Sequence, residues 1–117
     1  MINTEEARDV LKEAFPFTEV CTQYIARYKT RSGRELALER DRTESIFVWL
    51  EKYGAEIPGV SVKNEKYPGR PYERKQSRNS NLNEKNAPRL KPGNKVWYLE
   101  IETLEALRQV AAWYGEH

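Results

Sequence analysis

Ser45-Ile46-Phe47-Val48-Trp49-Leu50 is a run of β-branched, aromatic and aliphatic residues with almost no polar alternation. Such a run fits a strand covered on both faces, because a half-exposed strand alternates apolar with polar side chains. It is therefore read as the central strand of a sheet, and its surroundings follow from it. Upstream, Thr22 to Thr30 has period two, with Tyr24, Ala26 and Tyr28 on one face and Ile25, Arg27 and Lys29 on the other. Arg31-Ser32-Gly33-Arg34 supplies a turn with glycine where a positive φ is needed, and Glu35 to Arg40 alternates again through Leu36 and Leu38. These segments predict a hairpin, joined to the central strand by the turn Asp41-Arg42-Thr43-Glu44.

Beyond the meander the pattern is helical at both chain ends. Ala7, Val10, Leu11 and Ala14 form one apolar stripe behind Thr4, taken as the N-cap, with Glu5 and Glu6 in the first turn and Phe15-Pro16 as the stop. Near the other end, Val96-Trp97-Tyr98-Leu99-Glu100-Ile101 reads as a strand, and Thr103 caps a helix carrying Leu104, Leu107, Val110, Ala111 and Tyr114 as far as Gly115. The expected fold is α+β: an antiparallel sheet of four to five strands, N- and C-terminal helices packed on one face, and a long basic loop before the last strand. All 117 residues form one domain, a size at which a chain buries about two-thirds of its unfolded surface.

Between Gly54 and Asn94 nothing regular is predicted except a short strand around Val60-Ser61-Val62. That stretch holds the charge. Residues 63–95 carry ten lysines and arginines against Glu65, Glu73 and Glu84, a net of +7, while the whole chain is only +2. The remainder is thus an acidic body of net charge −5. Six of the seven asparagines share the basic segment, with four of the six prolines and two of the six glycines.

Several function classes fall away on composition. No apolar run reaches the roughly 18–20 residues of a membrane span, and the N-terminus lacks the basic start and apolar stretch of a signal peptide, so the expected location is cytoplasmic. One cysteine, Cys21, and one histidine, His117, make neither an internal disulfide nor a Cys/His zinc site. Glu100 with Glu102, and Asp41 with Glu44, are pairs of acids without a phosphate loop, nucleophile or base around them, and no enzyme, cofactor or metal is expected.

What remains is a surface for binding. Arg70, Arg74, Lys75, Arg78, Lys85, Arg89 and Lys91 are the residues expected to hold phosphates, because guanidinium and ammonium groups neutralise them and release counterions. Asn79, Asn81, Asn83 and Asn86 can contact bases or backbone, or equally close turns by bonding their own chain. Tyr67 and Tyr72 offer faces for stacking, and Leu82 and Leu90 can pin the loop to the core. A second basic group, Arg27, Lys29, Arg31, Arg34, Arg40 and Arg42, surrounds the hairpin, with Arg31 and Arg34 at its tip. Acids interspersed among them also fit a charge-guarded sheet edge. The three tryptophans fall on periodic faces and are read as core packing rather than a base pocket.

The expected function is a small nucleic-acid-binding module, for duplex DNA ahead of RNA, of the kind that reads the target in a restriction or defence system. The duplex preference rests on the hairpin, since a β-ribbon fits the major groove, and on few aromatics in the loop. The alternative belongs to another class: a protein-binding inhibitor or regulatory subunit, such as a phage-type anti-defence protein, whose basic loop occupies an acidic surface of its partner. The sequence does not set the oligomeric state.

Overall fold

The structure, a computed structural model, describes residues 3–17, 19–66, 82–91 and 93–117. Its elements in chain order are α1 (Thr4–Ala14), β1 (Glu19–Cys21), β2 (Ile25–Lys29), β3 (Glu35–Glu39), β4 (Ile46–Leu50), β5 (Val60–Lys66), β6 (Val96–Ile101) and α2 (Leu104–Glu116). The strands form one antiparallel sheet in the order β1-β2-β3-β4-β6-β5. The α+β class, the antiparallel sheet and the terminal helices are as the sequence leads one to expect, but the strands number six.

Two strands account for the difference. The period-two run from Thr22 is broken at its start, because Thr22 Oγ1 accepts the amides of Tyr24 (3.3 Å) and Ile25 (3.1 Å) and closes a turn. Glu19–Cys21 then folds back as a separate strand, Val20 opposite Arg27. The second is β5, seven residues where a short strand was expected, so Lys63 to Lys66 belong to the sheet and not to a loop. A bulge between Val62 and Asn64 absorbs one extra residue against β6.

β4 is interior and buried along its whole length, as its composition requires. Its neighbours are β3 (Leu38 opposite Val48) and β6 (Val48 opposite Leu99), so the last strand inserts between β4 and β5. On one face Tyr28, Leu36, Leu38, Val48, Leu99 and Ile101 pack under the two helices. Tyr28 donates to Glu19 Oε2 (2.6 Å), and Arg8 of α1 bridges to the same carboxylate (3.1 Å), which ties α1 to the β1 edge. Asn3, not Thr4, caps α1: its side chain accepts the Glu5 amide at 2.9 Å, and asparagine caps at least as well as threonine. Thr103 caps α2 as expected, accepting the Ala106 amide at 3.0 Å.

The opposite face is covered by the strap 82–91. Leu82, Ala87 and Leu90 are buried against Ile25, Ala37, Trp49 and Val96, so the two leucines do pin this segment. Two carboxylates lie in this layer. Glu35 is completely buried, taking Arg27 Nη1 (2.8 Å) and the Arg89 amide (2.7 Å). Glu39 receives the Trp49 indole (3.2 Å) and the Tyr98 hydroxyl.

Burial pushes the phenols of Tyr28, Tyr98 and Tyr114 well above their ordinary value, reinforced at Tyr28 by Glu19 and at Tyr98 by Glu39. A raised folded pKa means that the native state keeps protons that the unfolded chain loses near pH 10. The stabilisation is therefore complete below about pH 10 and lost as pH rises beyond it. Absorbance titration of the phenolate band should leave at least three of the seven tyrosines un-ionised until the fold is lost. All seven ionising together near pH 10 in a folded protein would refute this.

Candidate nucleic-acid interface

The strands arrange the charges along their own direction. At one end of the sheet lie Lys29 and the β2–β3 turn, the exit of β4 at Glu51 and Lys52, the entry of β6 at Lys95, and the end of β5, where Lys66 pairs with Val96. The other end carries Glu39, Asp41, Glu44 and Glu102. Position along a strand, invisible in a count of charges, leaves lysines and arginines in excess at the first end, although Glu35 and Glu51 lie there too.

The hairpin's basic group is divided accordingly. Lys29, Arg31 and Arg34 reach the basic end. Arg40 and Arg42 lie at the acidic end, paired with Glu5 (3.1 Å) and Glu44 (2.7 Å), and burial beside Glu35 removes Arg27 from the surface. The hairpin is also no free ribbon, because β1 and β4 flank it on both sides. Only its tip is available to a partner. There Gly33 takes φ 91°, as the turn requires, and Arg31 lies over the exposed Phe17 ring at 5.8 Å.

Of the other expected contact residues, Arg70, Arg74, Lys75, Arg78, Asn79 and Asn81 lie outside the described residues, as do Tyr67 and Tyr72. Asn83 is a turn former, its Oδ1 accepting the amides of Lys85 (3.0 Å) and Asn86 (2.9 Å). Asn86 is half-buried in that turn. Lys91 pairs with Glu84. Lys85 is exposed and has no carboxylate within ion-pair distance among the described residues.

Arg89 instead reaches the basic end, where it grips Glu51 through both Nε and Nη2 at 2.8 Å. Glu51 is the organising residue. Its Oε2 accepts the Glu35 amide (2.6 Å), its own amide donates to the Tyr114 hydroxyl (2.9 Å), and that hydroxyl donates to the Glu35 carbonyl (2.6 Å). Arg34 Nη1 stands 3.7 Å from the same carboxylate. One acid thus holds two arginines in place at the mouth of a cleft of about 380 Å³, lined by Arg34, Glu51, Pro88, Arg89, Asn94 and Lys95. Lys29, Arg31 and Lys52 have no ion-pair partner among the described residues.

Beside it is a second cleft of about 280 Å³, sharing Glu51 and Lys95 and walled by Tyr53, Trp97 and Trp113, with Lys52 at its rim. Trp97 and Trp113 are half-buried here rather than sealed in the core. Lys95 Nζ stands 5.3 Å from the Trp97 ring centre, and Trp113 meets Tyr53 edge-on at 5.5 Å. Sequence periodicity placed both tryptophans on packed faces correctly, but it carries no sign that the packing ends at the sheet's rim.

Glu100 pairs with Lys63 at 3.4 Å, and among the described residues no group of three or more His, Cys, Asp or Glu could hold a metal ion. No described helix is long and apolar enough to cross a membrane. Set against protein-family models, curated proteins and solved structures, the chain matches none.

Proposed function

We propose that the protein binds nucleic acid through the basic end of its sheet. The observation that carries this reading is the gathering of Lys29, Arg31, Arg34, Lys52, Arg89 and Lys95 at that end, drawn from four separate stretches of chain. Phosphate recognition needs several cations on one surface, and counterion release makes each contact count. The segment 67–81, which follows Lys66 in the chain, carries four basic residues against one acid. In this reading Arg70, Arg74, Lys75 and Arg78 also neutralise phosphates. Arg89 and Arg34, pre-set by Glu51, fix the register of the backbone, as planar guanidinium forks do.

The test is a fluorescence-anisotropy titration with labelled duplex DNA, single-stranded DNA and RNA at several salt concentrations. Saturable binding with a steep salt slope is expected. Replacing Lys29, Arg31 and Lys52 together by alanine should weaken binding at least tenfold at low salt and flatten the slope by about 2–3. Replacing Arg74, Lys75 and Arg78 by alanine should do the same. Exposed charge changes of this kind shift stability by only about 0.5 kcal/mol each, so thermal melting separates a lost contact from a lost fold. No binding to any of the three at low salt would defeat the proposal and turn attention to an acidic protein partner.

A further inference from the structure

The geometry points to recognition of an unpaired nucleotide, its base stacked in the cleft of Tyr53, Trp97 and Trp113 and its phosphate held in the neighbouring cleft by Arg34, Arg89 and Lys95. The inference rests on the nucleic-acid reading and sharpens it.

Three observations lead there. First, the two clefts share Glu51 and Lys95, and they differ in chemistry: one sets three cations, Arg34, Arg89 and Lys95, around the single Glu51 carboxylate, the other is walled by aromatic rings. A nucleotide has this same division, an anionic phosphate beside a flat heterocycle. Second, the aromatic cleft, at about 280 Å³, falls just under the roughly 300–1,000 Å³ of sites for drug-sized ligands, as suits a single ring system. Third, the walls are pre-set. Trp113 is held by the His117 ring stacked on one of its faces at 4.4 Å and by a T-shaped contact with Tyr53, so the cleft wall needs no ordering before a base enters.

A base paired inside a duplex cannot enter such a cleft. It must be single-stranded, mismatched or swung out, and stacking on indole then offsets the lost neighbours. The hairpin, held within the sheet, gives no ribbon for the major groove, and the open aromatic surface lies at the basic end itself. Lys52 and Lys95 line the same cleft, Lys95 over the Trp97 ring, where their ammonium groups can meet the carbonyl oxygens of a base.

Two substitutions test the cleft from opposite directions. Trp113→Ala removes the platform. Gly54→Leu fills the space in front of it, because a Cβ at Gly54 meets Trp113 Cζ2 at 3.8 Å, an ordinary contact, and the residue is exposed. Each is titrated by anisotropy against a single strand, the matching full duplex, and that duplex with one unpaired 2-aminopurine, whose fluorescence reports stacking. The wild type is expected to bind the single strand and the bulged duplex about tenfold more tightly than the full duplex and to quench the 2-aminopurine. Both variants should abolish the quench and reduce single-strand affinity roughly tenfold more than duplex affinity, the scale of one lost base stack. Should Trp113→Ala prove unstable in a thermal melt, Gly54→Leu, which removes no packing, decides alone. A wild type that binds all three substrates equally without quenching, or variants that weaken all three alike, would overturn the base cleft and leave the phosphate reading standing. A wild type that binds none of them ends both.

Discussion

Glu35→Ala is expected to destabilise the protein by about 3–5 kcal/mol, the range for removing one partner of a buried ion pair. Glu35 has no exposed surface, and Arg27 beside it is only 8% exposed. The substitution would leave a buried guanidinium without its carboxylate while the Arg27 Nε already lacks a hydrogen-bond partner. It would also strip the acceptor from the Arg89 amide, one of the links between strap and sheet. The double variant Arg27→Met, Glu35→Leu separates the two causes. Replacing a buried pair with apolar groups of similar size is often neutral or stabilising, so the double variant should recover most of the loss in a denaturant melt. A Glu35→Ala protein within about 1 kcal/mol of wild type would mean that water reaches the pair.

That pair shows where the sequence was and was not legible. The central strand could be read from Ile46 to Leu50 because burial on both faces leaves no polar alternation. The helices could be read because their apolar stripes are regular. The caps were harder, since Asn3 and Thr4 are both good N-cap residues and local chemistry does not choose between them. β1 went unread because Glu19-Val20-Cys21 is only three residues long, too short to show a period, and precedes the run that begins at the turn closed by the Thr22 hydroxyl. β5 was hidden by its composition, since Lys63-Asn64-Glu65-Lys66 has the polar character of a loop and is strand because β6 supplies its hydrogen bonds. The candidate site suffered most from the one-dimensional view. Basic residues of the hairpin look like one group in sequence, yet three strand residues of rise separate Arg31 and Arg34 from a buried Arg27, and the strand's length separates them from Arg40 and Arg42. Arg89 looked like a free phosphate ligand, and only the fold shows that Glu51 already holds it. Glu51 itself carried no signal, being one of eighteen acids.

Leu90→Ala is expected to cost about 2–5 kcal/mol, as truncations of fully buried leucines do, whereas Leu90→Met, which keeps the volume, should cost less than about 1.5 kcal/mol. Leu90 has no exposed surface and packs with Leu82 and Ala87 onto Ile25, Ala37, Trp49 and Val96. The loss should not spread evenly. Within the strap Ala87 bonds to Asn83 (2.8 Å) and Leu90 to Ala87 (3.0 Å). Its polar ties to the sheet run through Arg89 to Glu35 and Glu51, so the buried leucine supplies a large share of the apolar contact that holds it down. Amides of residues 87, 89 and 90 should therefore exchange faster with solvent than those of β3 and β4, because segments with few buried contacts open first. Arg89 sits next to the anchor, and its grip on Glu51 depends on the strap staying down. A loosened strap would free Arg89 and widen the phosphate cleft, so Leu90→Ala should also weaken nucleic-acid binding although no partner touches the leucine. Unchanged exchange at Arg89 together with full binding would show that Glu51 and the Glu35 carboxylate hold Arg89 without help from the apolar layer. The sheet face under the strap is thus not a spare binding platform: it is the core that sets the geometry of the basic end.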